Sequence, residues 1–343
     1  INALFEMHDK SKFEIFAFSL RNPSGPDQMT ERLIKSFDKF IDLELSSDLE
    51  IAKLARDLQI DIAVDLAGFT QGSRLGVFAL RAAPVQVNWL GYPGTIGADY
   101  MDYIFADKTV ISEDDQKYYS EKVVYLPHTY IPDDSSRIPS QRKFTRSECG
   151  LPESDFIFCC FNNSYKFNSQ VLDRFSKILS TIKNSVLWIP ENNQHFKINV
   201  LLEFENRGID KSRIIFAKRI DSMEDHLARF ALADLFLDTS PYNAHTTALD
   251  SLKSGVPVIT LPGQSFASRV SASILRAIGL PELIADSESE FEQLAIHLAR
   301  DSEALNSIKF KLNQGIGASP LFDTSQFTAE LEALYENIYE GLI

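Results

Sequence analysis

The residues best suited to chemistry follow apolar, strand-like runs in the second half of the chain. Lys166 comes shortly after one such run, and His245, Thr246 and Thr247 open a helical pattern at 246–254. Helix N-termini present unpaired N–H groups and a partial positive charge, so they bind phosphates. A lysine is the simplest group to neutralise a diphosphate as it leaves. Together these residues indicate a site for a phosphorylated ligand.

Each of these residues also has a purely structural interpretation. Thr246 could cap the helix, and Lys166 could be a solvated surface lysine. Asp250, one turn further on and on the same face as Thr246, could hold ribose hydroxyls or only place a charge near the helix start. His226 and Arg229, three residues apart, could meet a base and a phosphate or form a solvated polar face. The residue types alone leave both interpretations open.

Several other kinds of site are excluded by missing motifs. Gly91, Gly94 and Gly97 do not have the G-x-G-x-x-G spacing of dinucleotide-binding loops, and a G-x-x-x-x-G-K loop is absent. There is also no G-x-S-x-G elbow. No two aspartates are separated by one residue, the pair that single-domain, metal-dependent glycosyltransferases generally place on Mg or Mn. We therefore expect neither a metal site nor a cofactor.

Length and charge restrict the class of protein. The chain has 343 residues, 44% hydrophobic and 24% charged, with a net charge of −14. This length favours two domains, and the apolar content is sufficient for two cores. An acidic chain is a poor candidate for binding nucleic acid, which needs clustered Lys and Arg. There is no bilayer-length apolar run, no recognisable signal peptide, and no ligand spacing around Cys149, Cys159 and Cys160. We expect a cytoplasmic protein that does not bind membranes.

Apolar runs alternate with helical patterns along the whole chain. The first part has predicted strands at 13–20, 61–66, 85–90, 103–107 and 122–127, and predicted helices at 30–40 and 49–58. The second part has predicted strands at 156–161, 186–189, 213–217, 234–238 and 256–261, with helices between them. The polar stretch 131–146 is the best linker. This alternation predicts α/β structure with mostly parallel sheets covered on both faces.

Two Rossmann-like, doubly wound lobes that face a cleft account for this pattern. We expect a first lobe at 1–145 and a second lobe at 150–322. In open α/β sheets ligands bind beyond the carboxyl ends of the strands, where the polar loops of the second lobe would converge. Ile1, Leu4 and Phe5 lie on one helix face at the very start, with no strand before them. We therefore expect the first lobe to be truncated at its beginning.

Several segments together resemble the O-GlcNAc transferase family. They are WLGYPGT at 89–95, FNNSYK at 161–166, NAHTT at 243–247 and ASRV at 267–270, and the match keeps its order over essentially the whole chain. The resemblance implies the GT-B architecture, with a nucleotide-sugar site in the second lobe. It also implies that the C-terminal helix, residues 323–343, crosses back to pack on the first lobe.

The resemblance also implies roles for individual residues. Lys166 would contact the diphosphate of UDP and stabilise its departure. His226 would stack on the uracil with Arg229 nearby, and Asp250 would hold the ribose. The other implied ligands of the UDP-sugar are Asn163, His245, Thr246 and Thr247 in the second lobe, and Leu90 and Gly91, which would border the sugar from the first.

The implied reaction is inverting, metal-free transfer of N-acetylglucosamine from UDP-GlcNAc to Ser or Thr hydroxyls of proteins. The family carries a His-Pro motif and a tetratricopeptide array upstream of the region present here, and we expect both in the full-length protein. One departure is Met223, where the family has a lysine three residues before the uracil-stacking His226; Lys218 or Arg219 could substitute for it.

Three other functions stay open. SPINDLY-type relatives transfer fucose from GDP-fucose, but residues equivalent to His245 and Asp250 tend to differ in that branch, so their presence favours UDP-GlcNAc. A UDP-GlcNAc 2-epimerase would need carboxylates placed to move a proton at the sugar ring, and none stand near the predicted loops. A truncated UDP-sugar-binding module without activity is the third alternative.

Overall fold

The computed structural model describes residues 1–20 and 28–341. It divides into two compact units, residues 1–135 with the chain from Pro320 onward, and residues 136–319. The division differs from the expected boundaries at 145 and 322. Residues 136–145 belong to the second unit, where the amide of Ser140 donates to the carbonyl of Glu224 at 3.0 Å.

The first unit is built from parallel strands and helices. The described helices are α1 (Asn2–Met7), α2 (Gln28–Ser36), α3 (Asp48–Asp57) and α4 (Leu75–Ala79). The described strands are β1 (Phe16–Ser19), β2 (Lys39–Asp42), β3 (Ile62–Asp65), β4 (Val85–Asn88), β5 (Tyr103–Ala106) and β6 (Lys122–Tyr125). Strands β1 and β2 form one parallel pair, and β3-β4-β5-β6 form a parallel sheet in that order. The predicted strands are thus confirmed, with their ends trimmed.

The helix predicted at 30–40 is wrong at its C-terminal end. Helix α2 ends at Ser36, and β2 starts at Lys39, where its Phe40 pairs with Ala17 and its Ile41 with Phe18. Pairing with a neighbouring strand overrides the local helical spacing, which a single sequence does not reveal. Helix α3, by contrast, carries its own start signal, a capping box in which Ser47 and Glu50 exchange hydrogen bonds.

The second unit is a parallel sheet with the strand order β11-β10-β7-β8-β9. Its described strands are β7 (Phe156–Cys159), β8 (Ser185–Pro190), β9 (Ile214–Ala217), β10 (Leu235–Leu237) and β11 (Val258–Ile259). Its described helices are α5 (Ser169–Thr181), α6 (Gln194–Asn206), α7 (Met223–Phe230), α8 (Thr246–Lys253), α9 (Val270–Ala277), α10 (Glu288–Arg300) and α11 (Ser302–Ala318). This is the doubly wound order predicted for a Rossmann-like lobe.

The strand order reverses between β7 and β10. The chain runs from the central β7 outward to β8 and β9, then returns to the other side of β7 for β10 and β11. Phe236 of β10 pairs with Cys159 of β7, so the carboxyl ends of these two strands lie side by side. In doubly wound sheets such a reversal opens a crevice in which ligands bind.

Strand β7 lies in the core of the second unit. Ile157, Phe158 and Cys159 are fully buried, as is Cys160 just beyond the strand. An unbroken apolar run is what a parallel strand needs when both faces of its sheet are covered. Burial raises the pKa of both thiols above its ordinary value, so Cys159 and Cys160 stay protonated within the core.

The last helix, α12 (Thr324–Tyr339), belongs to the first unit and packs against α1. Its Phe327 ring stacks on Trp89 with the ring centroids 6.2 Å apart. Leu331 is fully buried, and Ile338 is buried too. The apolar side of this helix therefore faces the core of the first unit.

Removing the buried Leu331 side chain should destabilise the first unit. We expect Leu331→Ala to lower its free energy of unfolding by about 2–5 kcal/mol, because a cavity remains in the core. Urea unfolding followed by tryptophan fluorescence measures this. Tyr339→Ala on the same helix is the control, because that side chain is 63% exposed. Equal losses for the two variants would contradict the packing described here.

Candidate functional site

A buried carboxylate organises the loop that follows β10. Asp238 Oδ1 accepts hydrogen bonds from the amides of Thr239 (2.7 Å) and Ala244 (2.6 Å), and Oδ2 accepts one from the hydroxyl of Thr260 (2.7 Å). Burial raises the pKa of Asp238, and the hydroxyls of Ser271 and Thr260, the amide of Ala244 and the charge of Lys166 oppose the shift. The loop is thereby folded back onto the end of its own strand.

Asn162 ties this loop to the one that follows β7. Its Nδ2 donates to Asp238 Oδ1 (3.2 Å) and Thr239 Oγ1 (2.8 Å), and its Oδ1 accepts from the Thr247 hydroxyl (2.6 Å). The side chain is fully buried. One amide therefore fixes both loops at the strand reversal together with the first turn of α8.

Lys166 lies beside the loop that follows β10. It closes a 3-10 turn, Ser164–Lys166, and is buried. Its ammonium donates to the carbonyl of Asn243 at 2.7 Å and stands 4.3 Å from the centroid of the Tyr242 ring. Burial lowers the pKa of Lys166, while the charge of Asp238 opposes that shift. The solvated-surface interpretation of Lys166 is therefore wrong.

Helix α8 starts without a side-chain cap among the described residues. His245 occupies the cap position, and Thr246 is the first helical residue and is exposed. The capping interpretation of Thr246 is therefore wrong. The amides of Ala248 and Leu249 donate to the carbonyl of His245 (3.0 and 3.3 Å), and no acceptor in the described part of the chain is found for the two amides before them. Such a helix start is suited to an anion.

The His245 ring is held in a neutral form. It stacks on Tyr242 with ring centroids 5.0 Å apart, and its Nε2 lies 3.3 Å from the carbonyl oxygen of Ala267. Burial, reinforced by the charge of Lys166, lowers its pKa to about 4. A carbonyl only accepts hydrogen bonds, so Nε2 carries the proton.

His226 and Arg229 on α7 form a second neutral-histidine pair. Arg229 Nη2 lies 3.0 Å from His226 Nδ1. Because a guanidinium only donates, Nδ1 accepts and Nε2 carries the proton. Burial first, then the charges of Arg229 and Arg137, lower the pKa of His226 to about 4. Arg229 is itself buried and also donates to the carbonyl of Lys218, so the solvated-face interpretation of the pair is wrong.

Asp250 has a partner that the sequence did not indicate. It is buried on α8, and its carboxylate forms an ion pair with Arg137. Burial raises the pKa of Asp250, and Arg137 opposes that shift by its charge and its hydrogen bond. Asn163 precedes the turn that holds Lys166 and is exposed, and Met223, at the first position of α7, is exposed as well.

Leu90 and Gly91 lie in the first unit, in the loop after β4. Leu90 has a positive φ of 80°. A Cβ on Gly91 would lie 2.0 Å from the carbonyl oxygen of Leu66, so a larger residue would force this loop to move. These two residues therefore belong to a different unit from the site residues above, and their predicted contact with the sugar stays a prediction.

Asn162, Asp238 and Arg137 are the site residues that sequence reasoning missed. The sequence did contain a signal for Asp238, since a carboxylate at the end of an apolar strand is expected to be buried and to need hydrogen-bond donors. Arg137 had none, because it stands in a polar stretch far from Asp250 in sequence. No group of three or more His, Cys, Asp or Glu side chains in residues 1–20 and 28–341 could hold a metal ion. No helix there is long and apolar enough to cross a bilayer.

Comparison with known proteins decides the family. The model of glycosyl transferase family 41 matches residues 1–143 and 137–331. The chain belongs to glycosyl transferase family 41. The predicted resemblance to O-GlcNAc transferases is thereby confirmed.

Relatives with this family's activity in their names match nearly the whole chain. The probable UDP-N-acetylglucosamine–peptide N-acetylglucosaminyltransferase SEC of Arabidopsis thaliana is 34% identical over 341 residues, 98% of this chain and 35% of SEC. The corresponding SPINDLY protein of Petunia hybrida is 30% identical, over 99% of this chain and 37% of its own length. The chain therefore spans about a third of the length of these two relatives.

A solved structure of a Thermobaculum terrenum O-GlcNAc transferase mutant has the same fold. It superimposes with a TM-score of 0.89 at 31% identity, over 98% of this chain and 64% of that one. The predicted GT-B fold of this family 41 chain is confirmed by that match. The roles of the individual site residues remain predictions.

The neutral histidines predict how stability depends on pH. The pKa of both His226 and His245 is about 4 in the folded chain, below the ordinary 6.5. The unfolded chain therefore binds more protons between those values, and stability is lost as the pH falls through this window. We expect the urea midpoint to drop between about pH 7 and pH 5, and to drop less in a His226→Asn, His245→Asn double variant. Assigned ring signals of His226 and His245 that titrate near the ordinary value in NMR spectra would contradict this.

Proposed function

We propose that this chain is the catalytic region of a glycosyltransferase that moves N-acetylglucosamine from UDP-GlcNAc to Ser or Thr hydroxyls of proteins. The observation that supports it best is the position of Lys166, whose ammonium is held at 2.7 Å from the Asn243 carbonyl in the loop leading to the uncapped start of α8. A cation and a helix start converge there on the strand reversal. Family membership and the names of the relatives support the same reaction.

The chemistry needed at this place is charge stabilisation. As the bond between the sugar C1 and the β-phosphate oxygen breaks, its electron pair stays on UDP, and negative charge grows on the diphosphate. Lys166 and the free amides at the start of α8 would neutralise that charge. The acceptor hydroxyl would attack C1 from the opposite face, which inverts the configuration, and its proton would be released to solvent. We propose that no metal or cofactor is required.

The remaining site residues would bind the nucleotide. Asp250 would accept hydrogen bonds from the ribose, and the hydroxyls of Thr246 and Thr247 would bind phosphate beside His245. His226 would present a neutral ring and a fixed Nε2–H to the uracil. Because Arg229 is buried and bonded to His226, we assign it the positioning of that ring rather than a phosphate contact.

Donor, partners and location complete the proposal. We favour UDP-GlcNAc over GDP-fucose because His245 and Asp250 are both present and both lie at the site. The acceptor would be a protein, selected in the full-length molecule by an upstream tetratricopeptide array, and Asn163 would face the diphosphate sugar. A cytoplasmic location is supported by three cysteines that are all free thiols.

A nucleotide screen by thermal shift tests the donor. UDP and UDP-GlcNAc at about a hundred times their Kd should raise the Tm by roughly 5–10 °C, since a ligand of the folded state stabilises by mass action. GDP and GDP-fucose should give little change. A larger shift with GDP-fucose would contradict the donor and favour the fucosyltransferase.

Lys166→Ala in the full-length protein tests the chemistry. Turnover should fall by about a hundredfold or more, because the variant loses stabilisation of transition-state charge. Transfer of labelled N-acetylglucosamine to proteins of a cell lysate measures this. Lys177→Ala is the matched control, since the Lys177 side chain is exposed on the surface of the same unit, where it pairs with the half-buried Glu292. Turnover of Lys166→Ala within about threefold of wild type would refute the role.

Two further outcomes separate the alternatives. UDP binding by the full-length protein without any glycosylated product would favour a non-catalytic UDP-sugar-binding module. Release of N-acetylmannosamine from UDP-GlcNAc would favour the epimerase.

A further inference from the structure

One polar segment of the second unit, residues 137–142, fastens two helices of the candidate site. Ser140 donates from its amide to the carbonyl of Glu224 (3.0 Å) and from its hydroxyl to Asp225 Oδ1 (2.6 Å), both at the start of α7. Arg137, three residues earlier, pairs with Asp250 on α8. The segment thus joins the helix that carries His226 to the helix that carries Asp250.

Asp250 depends on this contact for its charge. The Asp250 side chain is 9% exposed, and burial favours its neutral form. Arg137 is the main group that opposes this, by charge and by a hydrogen bond, followed by the more weakly acting Lys253. A buried carboxylate that loses its partner becomes unstable as an anion.

The geometry of the pair leaves one oxygen for a ligand. Arg137 Nη2 donates to Asp250 Oδ1, and no residue in the described part of the chain donates a hydrogen bond to Oδ2. A guanidinium is planar and donates in fixed directions, so it holds a carboxylate in one rotamer. Oδ2 is therefore presented in a fixed direction.

We propose that Arg137 is a positioning residue, which holds Asp250 ionised and oriented so that its second oxygen accepts a hydrogen bond from the ribose of the donor nucleotide. This inference rests on the proposed function, because it assigns the ribose of UDP to Asp250. The inference adds Arg137, which lies outside the strands and helices of the second unit, to the residues that determine nucleotide recognition. Arg137 acts through Asp250 and does not touch the reacting atoms.

A competing arrangement makes the opposite prediction. If Arg137 occupied the place of the ribose and had to be displaced, its removal would tighten nucleotide binding. If Arg137 only stabilised the fold, its removal would weaken every nucleotide equally. Ribose discrimination separates these cases from the proposal.

The experiment measures the affinity of the protein for UDP and for 2′,3′-dideoxy-UDP by titration calorimetry. Wild type should prefer UDP by roughly tenfold or more, since a hydrogen bond to a charged group is lost with the hydroxyls. In Arg137→Met the UDP affinity should fall while the dideoxy affinity stays nearly unchanged, so that the preference drops to about threefold or less. Arg137→Lys should keep an intermediate preference, because it restores the charge without the planar fork.

Two control variants complete the design. Arg142→Met removes the same charge from the same segment, but Arg142 is exposed and pairs with Asp225 rather than Asp250; it should keep the wild-type preference. Asp250→Ala removes both acceptor oxygens and should abolish the preference, and adding Arg137→Met to it should change nothing further, because both act on one hydrogen bond.

The outcomes are separable. A wild-type preference for UDP that survives in Arg137→Met, or tighter UDP binding by that variant, overturns this inference and leaves the proposed function standing. A wild type that does not bind UDP overturns the proposed function and the inference with it. Loss of the preference in Arg137→Met and Asp250→Ala, with its retention in Arg142→Met, supports the inference.

Discussion

The buried hydrogen bonds of Asn162 and Asp238 are the constraint on which the candidate site depends. They join the loops after β7 and β10 at the point where the strand order reverses, and they reach the first turn of α8 through Thr247. Burying polar side chains costs free energy unless each of them forms its hydrogen bonds. Because those hydrogen bonds require specific positions, the geometry of the two loops is well defined. The same network fixes the position of Lys166, because the Lys166 ammonium donates a hydrogen bond to a carbonyl of the loop that Asp238 organises.

The electrostatics around this network favour an anionic ligand. Lys166 is held by a carbonyl and an aromatic ring, and both site histidines are neutral because burial lowers the pKa of each to about 4. Asp250 is balanced by Arg137. A diphosphate would therefore meet one ammonium and one helix start, and would leave the buried Asp238 in its own set of donors.

The two histidines also show that the residues hydrogen-bonded to a site side chain influence what that side chain can bind. Arg229 fixes the tautomer of His226, and the carbonyl of Ala267 does the same for His245. Each ring is thereby limited to one pattern of donor and acceptor. Under the proposed function, both contacts act on nucleotide recognition through another side chain, and Arg137 is proposed to act on Asp250 in the same way.

The sequence by itself determined the α/β class, most strand positions and the family. It also placed Lys166 shortly after a strand and Thr246 at the start of a helix, because apolar periodicity and short motifs are local properties. It did not reveal β2, whose residues fit a helical pattern until they pair with β1. Nor could it tell that Lys166 and Arg229 are buried, or that Arg137 meets Asp250 across more than a hundred residues. Only the tertiary structure decided these three features, since burial and long-range ion pairs arise when segments distant in sequence are brought together. A single sequence does not show which distant segments meet in space.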